Sequence, residues 1–159
     1  MSVNEVSKYL SLVKFSHTLF AMPFAFIGYF LALKYGDSYF SLKLLLLVVA
    51  CMVFARNTAM AFNRYADRHI DLHNPRTALR EIPAGILKAE SVLVFTIIKA
   101  VLFIATTWFI NPMAFYLSPV ALFVITGYSL TKRFTVLCHF ILGLGLSLAP
   151  IGAYIAVTA

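Results

Sequence analysis

Charge is what this sequence has least of. Only 12% of its 159 residues are Asp, Glu, Lys or Arg, where a soluble domain has about a quarter. Acids are scarcer still: there are six, and none follows Glu90. So few charges cannot cover in water a chain that is 62% apolar. That excludes an ordinary soluble globule and points to a bilayer, where lipid solvates the outer faces. Cysteine is nearly absent too. Cys51 and Cys138 lie in apolar runs, form no CxxC pair and adjoin no His/Cys cluster of zinc spacing. They read as small buried hydrophobes. Low-complexity segments and strong repeats are also missing. The one weak echo is that the second and fourth apolar runs each end in a polar, basic segment.

Long apolar runs are what the chain does have. The first, 15–33, holds 19 residues free of Asp, Glu, Lys and Arg. A signal-peptide core is about 7–15 residues, so this run reads as a membrane helix. Others follow at roughly 44–62, 91–110, 113–130 and 136–158. A membrane helix needs about 20 residues, so five spans fill the chain. The fold class is an all-α, polytopic transmembrane bundle, a single membrane domain over 1–159. Before the first span, Val3, Val6, Leu10 and Val13 recur at helical spacing, as in a short helix lying in the membrane interface. Gly36 and Asp37 make a turn after the first span, and Asn111-Pro112 a tight turn between the third and fourth.

The net charge of +7 comes from 13 basic residues against 6 acids. In this apolar setting it points to anionic lipid headgroups and positive-inside loops rather than to nucleic acid. Five basic residues lie in 63–90, two in the 131–135 turn, and Lys8 and Lys14 precede the first span. Alternating spans put all three regions on one side. The expectation is a multi-pass protein of the inner (plasma) membrane with a cytoplasmic N-terminus and a cytoplasmic loop at 63–90.

That loop and the end of the second span carry the chemistry. Asn63, Asp67 and Asp71 stand at i, i+4 and i+8. Each step drifts only about 40° around a helix, so they share a face, and Arg56, seven residues earlier, nearly shares it. Arg64 is about 100° around the helix from Asn63. Oxygen ligands of this kind suit Mg²⁺, which takes one or two carboxylates plus substrate phosphates. Arginine suits phosphate through its fork. The plain alternative is a solvated helix end, with Arg64 and Arg68 paired to the aspartates.

The segment 56–71 resembles the first aspartate-rich motif of the UbiA superfamily of intramembrane prenyltransferases. The continuation through Asn74, Arg76, Thr77, Arg80, Glu81, Pro83 and Gly85 resembles the stretch after it. Tyr128, Lys132, Arg133 and Thr135 resemble the family's Tyr-x-x-x-Lys-Arg-x-Thr segment. The 4-hydroxybenzoate polyprenyltransferase branch is most similar. Two departures stand out. Many members have aspartate directly after the motif asparagine, where this chain has Arg64. The family also has about nine spans and a second aspartate-rich motif, so five spans without a later acid are expected to be a truncated version.

The resemblance implies Mg²⁺-dependent transfer of a polyprenyl group from polyprenyl diphosphate to an aromatic acceptor such as 4-hydroxybenzoate, in quinone biosynthesis. It implies catalytic roles for Asp67 and Asp71, and a metal set of Asn63, Asp67 and Asp71. Arg56, Lys132 and Arg133 would neutralise the diphosphate or the acceptor's carboxylate. Arg76 and Arg80 would reach the diphosphate or lipid headgroups. Tyr128 falls in the third motif and joins the expected binding residues. Two other functions fit the composition: a small-solute transporter, which would place polar groups at the bilayer midplane, and a non-catalytic membrane fragment. Other polar residues have plainer readings. His69 and His73 have zinc-like i, i+4 spacing without a third ligand, and read as solvated. Lys99, in mid-span, must snorkel or pair internally.

Overall fold

The computed structural model describes residues 3–36 and 38–159. The turn expected at Gly36 and Asp37 therefore lies partly outside the described residues. Six helices account for nearly all the rest, and no strand occurs among the described residues. They are α1 (Val3–Leu12), α2 (Phe15–Tyr35), α3 (Leu42–His73), α4 (Ala89–Trp108), α5 (Pro112–Thr131) and α6 (Cys138–Thr158). The last five are long and apolar enough to cross a membrane. Their outer faces carry large apolar side chains in the open, among them Phe20, Ile97, Phe123 and Phe140. Lipid is the solvent that such faces require.

Helix ends follow local chemistry. Ser41 caps α3, its Oγ accepting from Leu44 N at 3.3 Å, and Asn111 caps α5, its Oδ1 accepting from Ala114 N at 2.7 Å. Pro112 occupies the first turn of α5, where a missing N–H costs nothing. Asn111 also donates Nδ2 to the carbonyls of Ile155 and Ala156 at 3.1 and 3.3 Å. The expected tight turn thus also ties α5 to the last turns of α6.

The bundle core lies among α2, α3 and α6, where Ala25, Tyr29, Val48, Met52, Ala153 and Ala156 are buried together. Small residues let the backbones approach, as membrane helices require. A Cβ at Gly28 would sit 2.7 Å from Pro150 Cα and closer still to its carbonyl oxygen. Tyr29 Oη fixes the α2–α3 corner by donating to Ser41 O at 2.8 Å and accepting from Ser41 N at 3.2 Å. Pro23, Pro119 and Pro150 all sit inside continuous helices.

Two differences from the sequence reading matter for the site. First, α3 runs 32 residues, 11 beyond the expected end of the span at 62. At 1.5 Å per residue it is about 48 Å long, against a hydrocarbon thickness of about 30 Å. The start of the expected 63–90 loop is therefore rigid helix. Second, α1 is packed rather than merely laid on a surface. Leu12 joins Ala61, Leu87 and Val92 in a second buried cluster that joins α1 to the ends of α3 and α4. Tyr9 stacks on Phe95 with centroids 4.9 Å apart. Between α1 and α2 the chain turns at Lys14, a non-glycine residue in the left-handed region at φ 47°, ψ 64°.

Candidate functional site

The protruding end of α3 carries three of the expected residues, and Asp67 and Asp71 are each only 5% exposed. Carboxylates buried to that degree need partners. The Lys132 ammonium bonds Asp67 Oδ2, and Arg133 Nη2 lies 3.7 Å from Oδ1. Arg133 also donates to the Ala66 carbonyl at 2.5 Å. Asp67 Oδ1 is nonetheless buried without a hydrogen bond. Asp71 accepts from Arg80 Nη1 with both oxygens at 2.8 Å. Asn63 donates Nδ2 to Ser129 Oγ at 3.2 Å, which leaves its amide oxygen available to a cation. The Lys132 ammonium lies 5.8 Å over the Tyr128 ring.

These contacts bring the ends of α3 and α5 together with the segment 74–88. That segment is a chain of turns, not a free loop. Asn74 Oδ1 accepts from Arg76 N at 3.0 Å, and Thr77 Oγ1 donates to the Asp71 carbonyl at 3.1 Å. Gly85 supplies a positive φ of 71° that a side chain would resist. Leu87 then anchors the segment in the second apolar cluster. Ser11 Oγ donates to Glu81 Oε1 at 2.6 Å, tying α1 to the same segment.

Two groups of residues thus flank α3. Asn63, Asp67, Tyr128, Lys132 and Arg133 form one. Asp71, Arg76 and Arg80 form the other, beside a pocket of about 380 Å³. Arg56 joins neither. It lies seven residues, about 10 Å, deeper along the helix, with Nε buried and unpartnered. The ion pairs are not those expected for a solvated helix end. Arg68 donates to the Tyr65 carbonyl at 2.8 Å and lies over the Tyr65 ring. No Arg64 ion pair occurs among the described residues, and that residue is buried at 7% exposure. A spacing of four from Asn63 passes over Arg64. A second stripe was available: Asn57, Arg64 and Asp71 recur every seven residues, about 20° apart, and all three are buried. Ser129 and Ser11 give no sequence signal of their own, and Glu81 stands out only within the stretch that resembles the family's.

His73 Nδ1 contacts the His69 carbonyl at 2.8 Å in an exposed position. No cluster of three or more His, Cys, Asp or Glu side chains stands ready for a metal among the described residues. The oxygens open to a cation are instead the orphaned buried Oδ1 of Asp67 and the Asn63 amide oxygen, beside the Asp71 carboxylate that Arg80 holds. That donor set fits a hard cation that completes its shell with substrate oxygens. Lys99 finds internal partners: its ammonium lies over the Phe54 and Phe95 rings, 5.4 and 5.2 Å from the centroids.

The sequence profile of the UbiA prenyltransferase family matches residues 21–159, which include every one of these polar groups except Ser11. The chain belongs to the UbiA prenyltransferase family. Among curated members, the 4-hydroxybenzoate octaprenyltransferase of Tolumonas auensis is 36% identical over 117 residues, 74% of this chain and 41% of that protein. The enzyme of the same name from Vibrio cholerae serotype O1 is 33% identical over 106 residues, 67% of this chain and 37% of that one. The chain thus spans about two fifths of the length of these curated UbiA relatives. Solved UbiA structures agree. A UbiA homolog from Aeropyrum pernix, in its apo form, superposes with a TM-score of 0.83 at 32% identity, covering 89% of this chain and 50% of that one. A homolog from Archaeoglobus fulgidus, bound to GPP and Mg²⁺, gives 0.77 at 22% identity, covering 96% and 54%; at that identity the likeness speaks for the fold.

Proposed function

We propose that this chain binds the diphosphate end of a polyprenyl donor and serves prenyl transfer to an aromatic acceptor such as 4-hydroxybenzoate, in quinone biosynthesis. One observation carries the reading. Two buried carboxylates project from one helix end, each covered by a cation, at one end of five apolar helices. The names of the curated relatives and the ligands of the Archaeoglobus structures support the same chemistry.

Asn63, Asp67 and Asp71 would hold Mg²⁺, which when bound neutralises developing charge on the departing diphosphate. Lys132, Arg133, Arg76 and Arg80 add fixed positive charge where the diphosphate leaves. The apolar helices receive the isoprenoid tail, at about 0.8 kcal/mol per buried CH₂. Their walls also keep water from the allylic cation until the acceptor's ring carbon attacks and loses a proton. Arg56, deeper and with an open donor, would take the diphosphate or the acceptor's carboxylate. The basic ends of α1, α3 and α5 share one side through the Ser11–Glu81 and Lys132–Asp67 contacts. We place that side in the cytoplasm, facing in from the plasma membrane, because basic residues gather there.

The test is Mg²⁺-dependent binding of geranyl diphosphate by the purified chain in detergent. Asp67→Asn and Asp71→Asn should each weaken it more than tenfold with little change in thermal stability. Binding that is indifferent to Mg²⁺ and to both substitutions would refute the proposal.

A further inference from the structure

The pocket beside Asp71 holds more than its two expected arginines. Ser11, Lys14, Arg64, Arg76, Arg80 and Glu81 all line it. Arg76 is exposed, and Arg80 is engaged with Asp71. Arg64 is different, being 7% exposed with its Nε buried and without a hydrogen-bond partner. Glu81 matches it in burial at 7%; Oε1 accepts from Ser11 while Oε2 is buried and unpartnered. No ion pair joins Arg64 to Glu81 among the described residues.

A buried guanidinium with an unused donor is costly, and more so than an unused neutral donor. An anion that enters the pocket and completes the fork removes that cost. Four cations face one carboxylate there, so the pocket's field favours an anion. Arginine binds planar or multi-oxygen anions through paired donors. Because Arg80 both lines the pocket and holds Asp71, the pocket is continuous with the carboxylate site. A diphosphate held near Asp71 would present phosphoryl oxygens to this pocket through the shared Arg80. Backbone strain falls at the same place. Lys14 adopts a left-handed conformation that only glycine adopts freely, and that turn brings its side chain to the pocket.

We infer that Arg64 is a direct ligand of the donor's diphosphate, holding the phosphoryl group remote from Asp67, with Glu81 fixed by Ser11 as its orienting neighbour. This rests on the reading that a diphosphate is the ligand of the site. It adds a binding contact that does not require the metal.

The experiment is calorimetric titration of the purified chain in detergent with inorganic pyrophosphate, once with Mg²⁺ and once with EDTA. The wild type should bind in both, more weakly in EDTA. Arg64→Gln should lose about tenfold or more in both, and Arg68→Gln, on the Tyr65 ring, should match the wild type. Arg64→Lys keeps the charge and loses the fork, so it should bind several-fold more weakly while melting near the wild-type temperature. If Arg64→Gln does not fold, Arg64→Lys decides. Wild-type affinity in a folded Arg64 variant would overturn the inference and leave the proposed function standing. A wild-type chain that binds no pyrophosphate with or without Mg²⁺ would overturn both.

Discussion

Lys132 neutralises the Asp67 carboxylate through Oδ2, while Oδ1 is the oxygen left for a divalent cation, which leads to a prediction of opposite signs. Replace it with methionine, similar in length and uncharged. Two unit charges about 4 Å apart attract by about 4 kcal/mol at an effective dielectric of about 20. The Lys132 side chain is 25% exposed, and desolvation opposes the pairing, so the net preference falls to about 1–2 kcal/mol. Mg²⁺ on Oδ1 must compete with that ammonium for the charge of one carboxylate in the free protein. Lys132→Met should therefore tighten Mg²⁺ alone by about 5- to 30-fold, at about 1.4 kcal/mol per factor of ten. The same substitution removes a cation from the diphosphate, so pyrophosphate in saturating Mg²⁺ should bind more weakly. Titration calorimetry of each ligand separately reads both effects. A variant that keeps its melting temperature but binds Mg²⁺ no tighter than the wild type would refute the competition.

Gly28→Ala should destabilise the chain by about 1–3 kcal/mol, because its Cβ overlaps the Pro150 backbone; Gly127→Ala, with nothing within 4 Å, is the control, and thermal unfolding in detergent compares them. Asn111→Ala should cost about 1–2 kcal/mol for the cap alone, and more if the bonds to Ile155 and Ala156 matter; the same melt checks it. A cysteine at position 80 should be labelled by an impermeant thiol reagent only after cells are opened, and labelling of intact cells would reverse the topology.

The bundle was legible because its signals are additive and local. Twenty apolar residues in a row admit one solvent and one backbone geometry, so each span begins and ends within a few residues of its expected place. The exceptions are at the polar ends. The sequence closes the second span at 62, where the polar stretch 63–90 begins. The helix instead runs to His73, since its polar face is covered by α5 and by the turns after Asn74. Likewise α1 shows only amphipathic spacing in sequence, while its docking depends on Leu12 meeting Ala61, Leu87 and Val92 across long separations.

The site was half legible for a related reason. A spacing of four displays one stripe of a helix, and the stripe from Asn63 to Asp71 leads to α5 through Ser129 and Lys132. A helix that protrudes from a membrane has more than one covered side. The spacing of seven through Asn57, Arg64 and Asp71 marks the side facing α1 and the turn segment, and every member of it is buried. Asp71 belongs to both stripes, which is why Arg80 can hold it from the second side while Lys132 holds Asp67 from the first. The sequence reading takes its helix residues from the first stripe alone; the second adds Arg64 as a buried neighbour of Asp71.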